Sequence, residues 1–353
     1  MKKRSYSTVI MLLWTTLLVT VIISIALGRY PIGLEELWGI LWNRLLNIVE
    51  LGCGAIGLNV PELEIEPFWS RTQESLLLLH RLPRIILACL VGCCLAAAGA
   101  SYQGVFQNPM AAPDILGASS GAAFGAALAI LLDLGSTMSM FFAFVASILT
   151  VLLVIFAGNK AKGKRVVGLI LAGIMISSLV SSGTSMIKLM ADPEDQLPAI
   201  TYWLMGSLNG TKPKDVWFAL VPMLAGLVPL LLLRWKVNIL TLGDDEAKTM
   251  GVNAKRLRVI VILCATLVTA ASVSVSGVIG WVGLVVPHLT RRLVGNNYKH
   301  LMPASMLLGG IFLLLVDNIS RNLFAAEIPI GILTSFIGAP FFLYLITRDG
   351  EQL

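Results

Sequence analysis

Apolar runs long enough to cross a lipid bilayer recur from one end of this sequence to the other, beginning with TVIMLLWTTLLVTVIISIALG at 8–28. A hydrocarbon core about 30 Å thick takes about 20 residues at the 1.5 Å rise of an α-helix. No water reaches that core to satisfy peptide N–H and C=O groups, so such runs must close their hydrogen bonds internally, as helices. The chain is 57% hydrophobic and 13% charged, against about 25% charged in soluble domains. An all-α polytopic membrane protein follows.

Ten spans fit, near 8–28, 84–106, 114–134, 138–158, 166–190, 215–234, 257–277, 279–293, 303–320 and 328–347. They form a single transmembrane domain over 1–353, since no linker or composition shift divides the chain. The first run is longer than a signal-peptide core and lacks a small-residue cleavage site, so it reads as a retained helix. Lys160, Lys162, Lys164 and Arg165, then Arg234, Lys236, Lys248, Lys255, Arg256 and Arg258, then Arg291, Arg292 and Lys299 fall between spans on one side. Positive loops mark the cytoplasmic side, and an even number of spans places both termini there. The net charge of +6 therefore reflects orientation rather than nucleic-acid binding. Within the external segment 29–83, Leu34, Leu37, Trp38, Leu41, Trp42 and Leu45 share a helical face, predicting a helix in the membrane interface. The part from 49 to 75 is acidic and punctuated by Pro and Gly, and its role is not legible.

GNKAKGKR at 158–165 imitates a phosphate-binding loop, but Arg165 replaces the hydroxyl that would hold magnesium and no strand precedes it. No site for ATP is expected in this chain. His80, His288 and His300 stand in separate segments, and neither a catalytic constellation nor a metal cluster is expected. The cysteines read as small buried hydrophobes. His288 follows Pro287 at an expected helix break. Asp317 lies inside span nine, where a lone carboxylate is costly; pairing with Arg321 one turn on explains its tolerance, and proton coupling is the sharper alternative. Ser178, Ser182 and Ser185 in span five suit close helix packing or a wet pathway, while Gly117, Gly121 and Gly125 form a small-residue packing ridge. Arg81, Arg84 and Arg321 lie on the outer side, against the charge bias, as interface anchors or a docking patch for an acidic partner. Between spans six and seven, TLGDDEAKTMGVNAKRLR predicts two short helices on the cytoplasmic face around Gly251.

Taken together, RLPR (81–84), GASYQGVFQNPMAAPDILGASSGA (99–122), LILAG (169–173), YWLMGSL (202–208), LGDDEAKTMGV (242–252), GVIGWVGLVVPHLTRRLVG (277–295) and EIPIGILTSFIGAPFFLYL (327–345) resemble the FecCD-type permeases. These serve binding-protein-dependent ABC importers of iron chelates, haem and cobalamin. The resemblance covers the chain from about residue 80 to its end and implies a ten-helix, type II importer permease. Such a permease works as a homodimer, or with a paralogue, in the cytoplasmic membrane. Two ATPase subunits beneath would consume ATP and magnesium, with no cofactor on this chain, and a substrate-binding protein or lipoprotein would dock above. By the same resemblance Arg81, Arg84 and Arg321 would meet the binding protein, and Asn108 and Met110, with Val166 and Val167, would close the inner end of the pathway. Residues 242–258, with Gly243, Asp244, Glu246, Ala247, Met250 and Gly251, would couple to the ATPases. Iron chelates are the expected cargo, as the commonest in the family, with haem or cobalamin as the alternative. The rival reading is a secondary transporter with Asp317 as ion carrier.

Overall fold

The computed structural model describes residues 6–30, 32–55, 67–160 and 165–349. In chain order its helices are α1 (Tyr6–Ala26), α2 (Leu34–Ala55), α3 (Arg71–Ser75), a π-helical stretch Leu76–Arg81, α4 (Leu82–Val105), a 3-10 turn Pro113–Leu116, α5 (Ala118–Leu131), α6 (Gly135–Lys160), α7 (Arg165–Met190), α8 (Gln196–Leu204), α9 (Pro213–Leu240), α10 (Asp244–Thr249), α11 (Ala254–Ser276), α12 (Val282–Val294), α13 (Tyr298–Asn322) and α14 (Ile330–Asp349). The described residues contain no strand. Seven helices among them are long and apolar enough to cross a bilayer, counting Arg71–Val105 as one. The other three expected spans are α5, α12 and α14.

α4 is the axis of the bundle, buried along nearly its whole length between α9, α11, α12 and α13. Its small residues allow this. A Cβ on Gly92 would collide with the Gly309 carbonyl of α13, and one on Gly309 with the Gly92 carbonyl, so backbones meet where lipid offers no hydrophobic drive to hold helices together. The ridge on α5 works in the same way: side chains at Gly121 and Gly125 would strike α6 at Ala146 and Phe142, and one at Gly117 would strike Ser177 of α7. α1 packs along α13, whereas α7 is peripheral and buries little of its surface.

Several boundaries differ from the sequence reading, each for a local reason. Span two begins at Arg71 rather than 84, because the helix runs through Pro83 instead of starting there. Proline lacks the N–H that would bond the Leu79 carbonyl and its ring crowds that turn. The preceding turn widens to the π form, with Leu82 N donating to Leu77 O, five residues back. Pro287 likewise does not break span eight: it lies inside α12, and the Gly283 carbonyl it leaves free accepts from Gln103 Nε2 at 3.4 Å. The break sits earlier, at 277–281, where Gly277 and Trp281 take φ of +66° and +69°. α8 adds a short helix that the ten spans do not include, preceded by a turn in which Asp192 Oδ1 accepts from Glu194 N and Asp195 N.

α2 is a helix where one was expected, but its apolar residues divide between two faces. Leu37 and Ile40 are buried, and Gly39 lies against Phe68 and Trp69. Leu34, Trp38, Trp42 and Leu45 are exposed, as side chains meant for lipid would be. Lys162, Lys164 and residues 56–66 of the acidic external stretch lie outside the described residues.

Candidate functional site

One end of the bundle gathers the loop after α4, the α9–α11 connection and the turn between α12 and α13. The segment expected as two short helices is one, α10, followed after a turn by α11 itself. Gly243 enters α10 with φ +128°, and Asp244, Asp245 and Glu246 occupy the first turn, where the helix dipole favours acids. Gly251, at φ +76°, closes α10: its N–H bonds Lys248 O while Val252 N bonds Ala247 O. Ala247 is wholly buried and anchors the helix. Leu242 and Met250 are 60% and 57% exposed, and Glu246 is exposed beside them. This leaves an uncovered ledge of mixed apolar and acidic character.

The ledge is tied to the interior through Arg258 of α11, only 2% exposed. Its guanidinium donates to both Asp244 carboxylate oxygens, at 2.6 and 3.1 Å, and to the Val105 carbonyl at the end of α4, at 3.4 Å. Gln107, held at φ +51°, donates through Nε2 to the Leu240 carbonyl at 2.6 Å. The loop after α4 is therefore fastened to both sides of the α10 segment. Within that loop Asn108 Oδ1 accepts from Met110 N at 2.8 Å, making a tight Asx turn. Asn108 also lines a polar cavity of about 550 Å3 with Gln103, His288, Arg291 and Arg292. Met110 and Val167 are exposed and Val166 is half-buried.

Along its open face α7 presents Met175, Ser178, Leu179, Ser181, Ser182, Ser185 and Met186 to the outside. Ser182 Oγ donates to Ser178 O, and Ser185 Oγ to Ser181 O. With their donors satisfied inside the helix, these serines hold no neighbouring helix of this chain. Packing belongs instead to Ser177, against Gly117. A groove of about 280 Å3 beside α7 is lined by Asp114, Ser119, Ser120, Ser181, Thr184, Ser185 and Lys188. An apolar groove of about 650 Å3 shares Leu204 and Val278 with it and reaches Phe336 of α14. One continuous, unfilled surface thus runs from α7 to α14.

At the opposite end of the bundle Arg81, Arg84 and Arg321, expected on the outer side, turn inward. Arg84 donates to Asp317 and to Glu327, each at 2.9 Å, and Arg321 Nε lies 3.1 Å from the second Asp317 oxygen. Asp317 is fully buried. Arg81 donates to the carbonyls of Ile25 and Tyr30, while Asn318 joins Ser24 to Arg321. Arg29 adds bonds to the carbonyls of Arg321 and Phe324. The local Asp317–Arg321 pair read from the sequence exists, but Arg84 completes it across two helices. All three arginines are under 9% exposed, so within this chain they clamp α1, α4 and α13 together.

Sequence reasoning missed Arg258 and Gln107. Its sequence context marks Arg258 as a positive charge at the edge of the 242–258 coupling region, although it falls within an apolar helix, where an unexplained cation implies a partner. No group of histidine, cysteine and carboxylate side chains suited to a metal occurs among the described residues.

A model of the FecCD transport family matches residues 16–348. The molybdate import system permease protein of Haemophilus influenzae is 39% identical over 99% of this chain and 99% of its own length. An iron chelatin transport system permease protein of Helicobacter pylori is 41% identical over 86% of this chain and 95% of its own. Among solved structures, an inward-facing conformation of a metal-chelate type ABC transporter superposes with a TM-score of 0.82 at 36% identity, covering 97% of this chain and 99% of that one.

Proposed function

Because the chain belongs to the FecCD transport family, we propose that it is the membrane-spanning permease of an ATP-driven importer that carries a metal-bearing anion into the cell. It makes and breaks no covalent bond. Two separate ATPase subunits work it from the cytoplasmic side, where both termini also lie, and a substrate-binding protein or lipoprotein delivers cargo from outside. A second copy, or a paralogue, faces the surface between α7 and α14, and the pathway runs between the two.

The observation that carries this reading is the α10 ledge and its fastening to the loop of Asn108 and Met110. An exposed helix bound through Arg258 to the end of α4 moves that loop whenever a partner beneath moves the helix. ATP binding then changes access only by favouring one arrangement of the partners over the other, since equal affinity for both shifts nothing. The enclosure of Asp317 between Arg84 and Arg321 supports a structural role for it over that of an ion carrier.

For the cargo, iron chelates remain the first reading, supported by the family resemblance and the iron chelatin relative. A molybdate-like oxyanion is the second, favoured by the end-to-end alignment with the Haemophilus permease. Vesicles containing the permease, its ATPase and its binding protein test both. ATP-dependent uptake of a ferric chelate or of molybdate is expected, and uptake of neither refutes the cargo class. Uptake that persists without the ATPase refutes the coupling.

A further inference from the structure

A groove of about 680 Å3 opens between α2, the helix running from α3 through the π turn into α4, and the first turns of α9. It lies at the end of the bundle away from α10, the outer end in the orientation proposed above. Its lining changes character along its length. Arg44 of α2 and Arg71 and Glu74 of α3 stand at one end. Leu78, Leu79, Leu82 and Ile86 then follow along a single helix, over a rise of about 12 Å at 1.5 Å per residue. Val216 and Trp217 of α9 form the facing wall.

Leu79, Ile86 and Trp217 are 49%, 46% and 69% exposed, so the groove is apolar and unfilled by the protein itself. Among the described residues the charged end is also uncommitted. Arg44 and Arg71 are exposed and make no ion pair among the described residues, whereas Glu74 already accepts from Trp69 Nε1 at 3.4 Å. Among the described lining residues, two cations against one carboxylate leave a net positive rim on the side where positive charge is otherwise sparse. Trp38 and Trp42 of α2 and Trp217 of the facing wall are exposed, and exposed tryptophans favour headgroup depth.

We infer that this groove is a binding site for one anionic phospholipid. Its phosphate is held by Arg44 and Arg71, and an acyl chain lies along Leu78 to Ile86. The head-to-tail polarity of the groove matches that of the ligand, and its excess positive charge selects a net-negative headgroup over a zwitterionic one. The π turn that accommodates Pro83 forms part of the wall, so the feature that lets the helix pass through a proline also shapes the site.

The test uses delipidated full-length protein in a neutral detergent, titrated with phosphatidylglycerol or with phosphatidylcholine of the same acyl chains, with bound lipid counted by native mass spectrometry. The wild type should retain one phosphatidylglycerol in about tenfold preference to phosphatidylcholine. An Arg44→Gln/Arg71→Gln variant should bind phosphatidylglycerol about thirtyfold more weakly, from two surface arginines. Leu79→Trp, which fills the apolar wall, should weaken both lipids. All these side chains are exposed, so the lipid-free unfolding midpoint serves as the control for folding. Equal retention of the two lipids, retention of neither, or a preference that survives the double arginine variant overturns the proposal. So does displacement of phosphatidylglycerol by an equal concentration of inorganic phosphate, which would make the site one for free anions.

Discussion

The tie between Arg258 and Asp244 predicts an unequal response to removing either partner. Arg258 is 2% exposed on its side chain, whereas that of Asp244 is 58% exposed. Arg258→Met leaves a carboxylate that water can reach, and methionine retains much of the buried stem, so the loss is a charge-assisted hydrogen bond offset by rehydration, about 1 kcal/mol. Asp244→Asn instead leaves a buried guanidinium facing a neutral amide and the Val105 carbonyl, which costs about 3 kcal/mol, at the low end for half of a buried pair. The difference of about 2 kcal/mol corresponds to about thirtyfold in an equilibrium constant. Heat unfolding of the purified protein in a single detergent should therefore rank wild type above Arg258→Met and that variant above Asp244→Asn. The better-folded variant is also the informative one for transport, since it separates α10 from α4: assembled with its ATPase, Arg258→Met should hydrolyse ATP while moving little cargo. If Arg258→Met is the less stable of the two, or if its transport per ATP is unchanged, the tie does not work as described.

Three further expectations follow from the same structure. Gly309→Val should lower the yield and the unfolding midpoint of the protein by at least the equivalent of about 2 kcal/mol, because the new side chain meets the α4 backbone rather than a movable side chain. Asp317→Asn should destabilise the fold by about 3 kcal/mol, because buried Arg321 loses its carboxylate and Arg84 keeps Glu327 alone; a normally stable protein that has lost only transport would instead support an ion-carrier role. Ser182→Trp, on the open face of α7, should leave the unfolding midpoint of the monomeric chain unchanged and reduce vesicle uptake at least tenfold, a separation that a serine packed within the chain could not give.

Much of the architecture is written in the spacing of apolar residues, because lipid permits few ways to bury a peptide backbone. Each expected span has its helix, and the small residues at Gly121 and Gly125 pack where their spacing suggested. Prolines were harder to read. Pro83 suggests a helix start and Pro287 a break, yet a local π turn carries the helix through the first, and Gln103, distant in sequence, satisfies the carbonyl freed by the second. The outer arginines show a similar limit. Their position against the charge bias was visible, but their partners come from α1, α13 and the Glu327 loop, and only the fold reveals that they point inward. Arg258 was hidden for the opposite reason, since it sits among loop cations that needed no further explanation. The serines of α7 illustrate a third case: their spacing on one face was plain, but whether that face is covered depends on which helices pack against it.

As proposed, this chain is a conduit without a motor of its own. Phosphate release by the purified permease, alone and after assembly with its ATPase in lipid vesicles, tests it most directly. The permease alone should show no hydrolysis above background, and hydrolysis should appear with the partner and be lost when the partner's own ATP site is inactivated. Turnover of ATP by the isolated chain would contradict it.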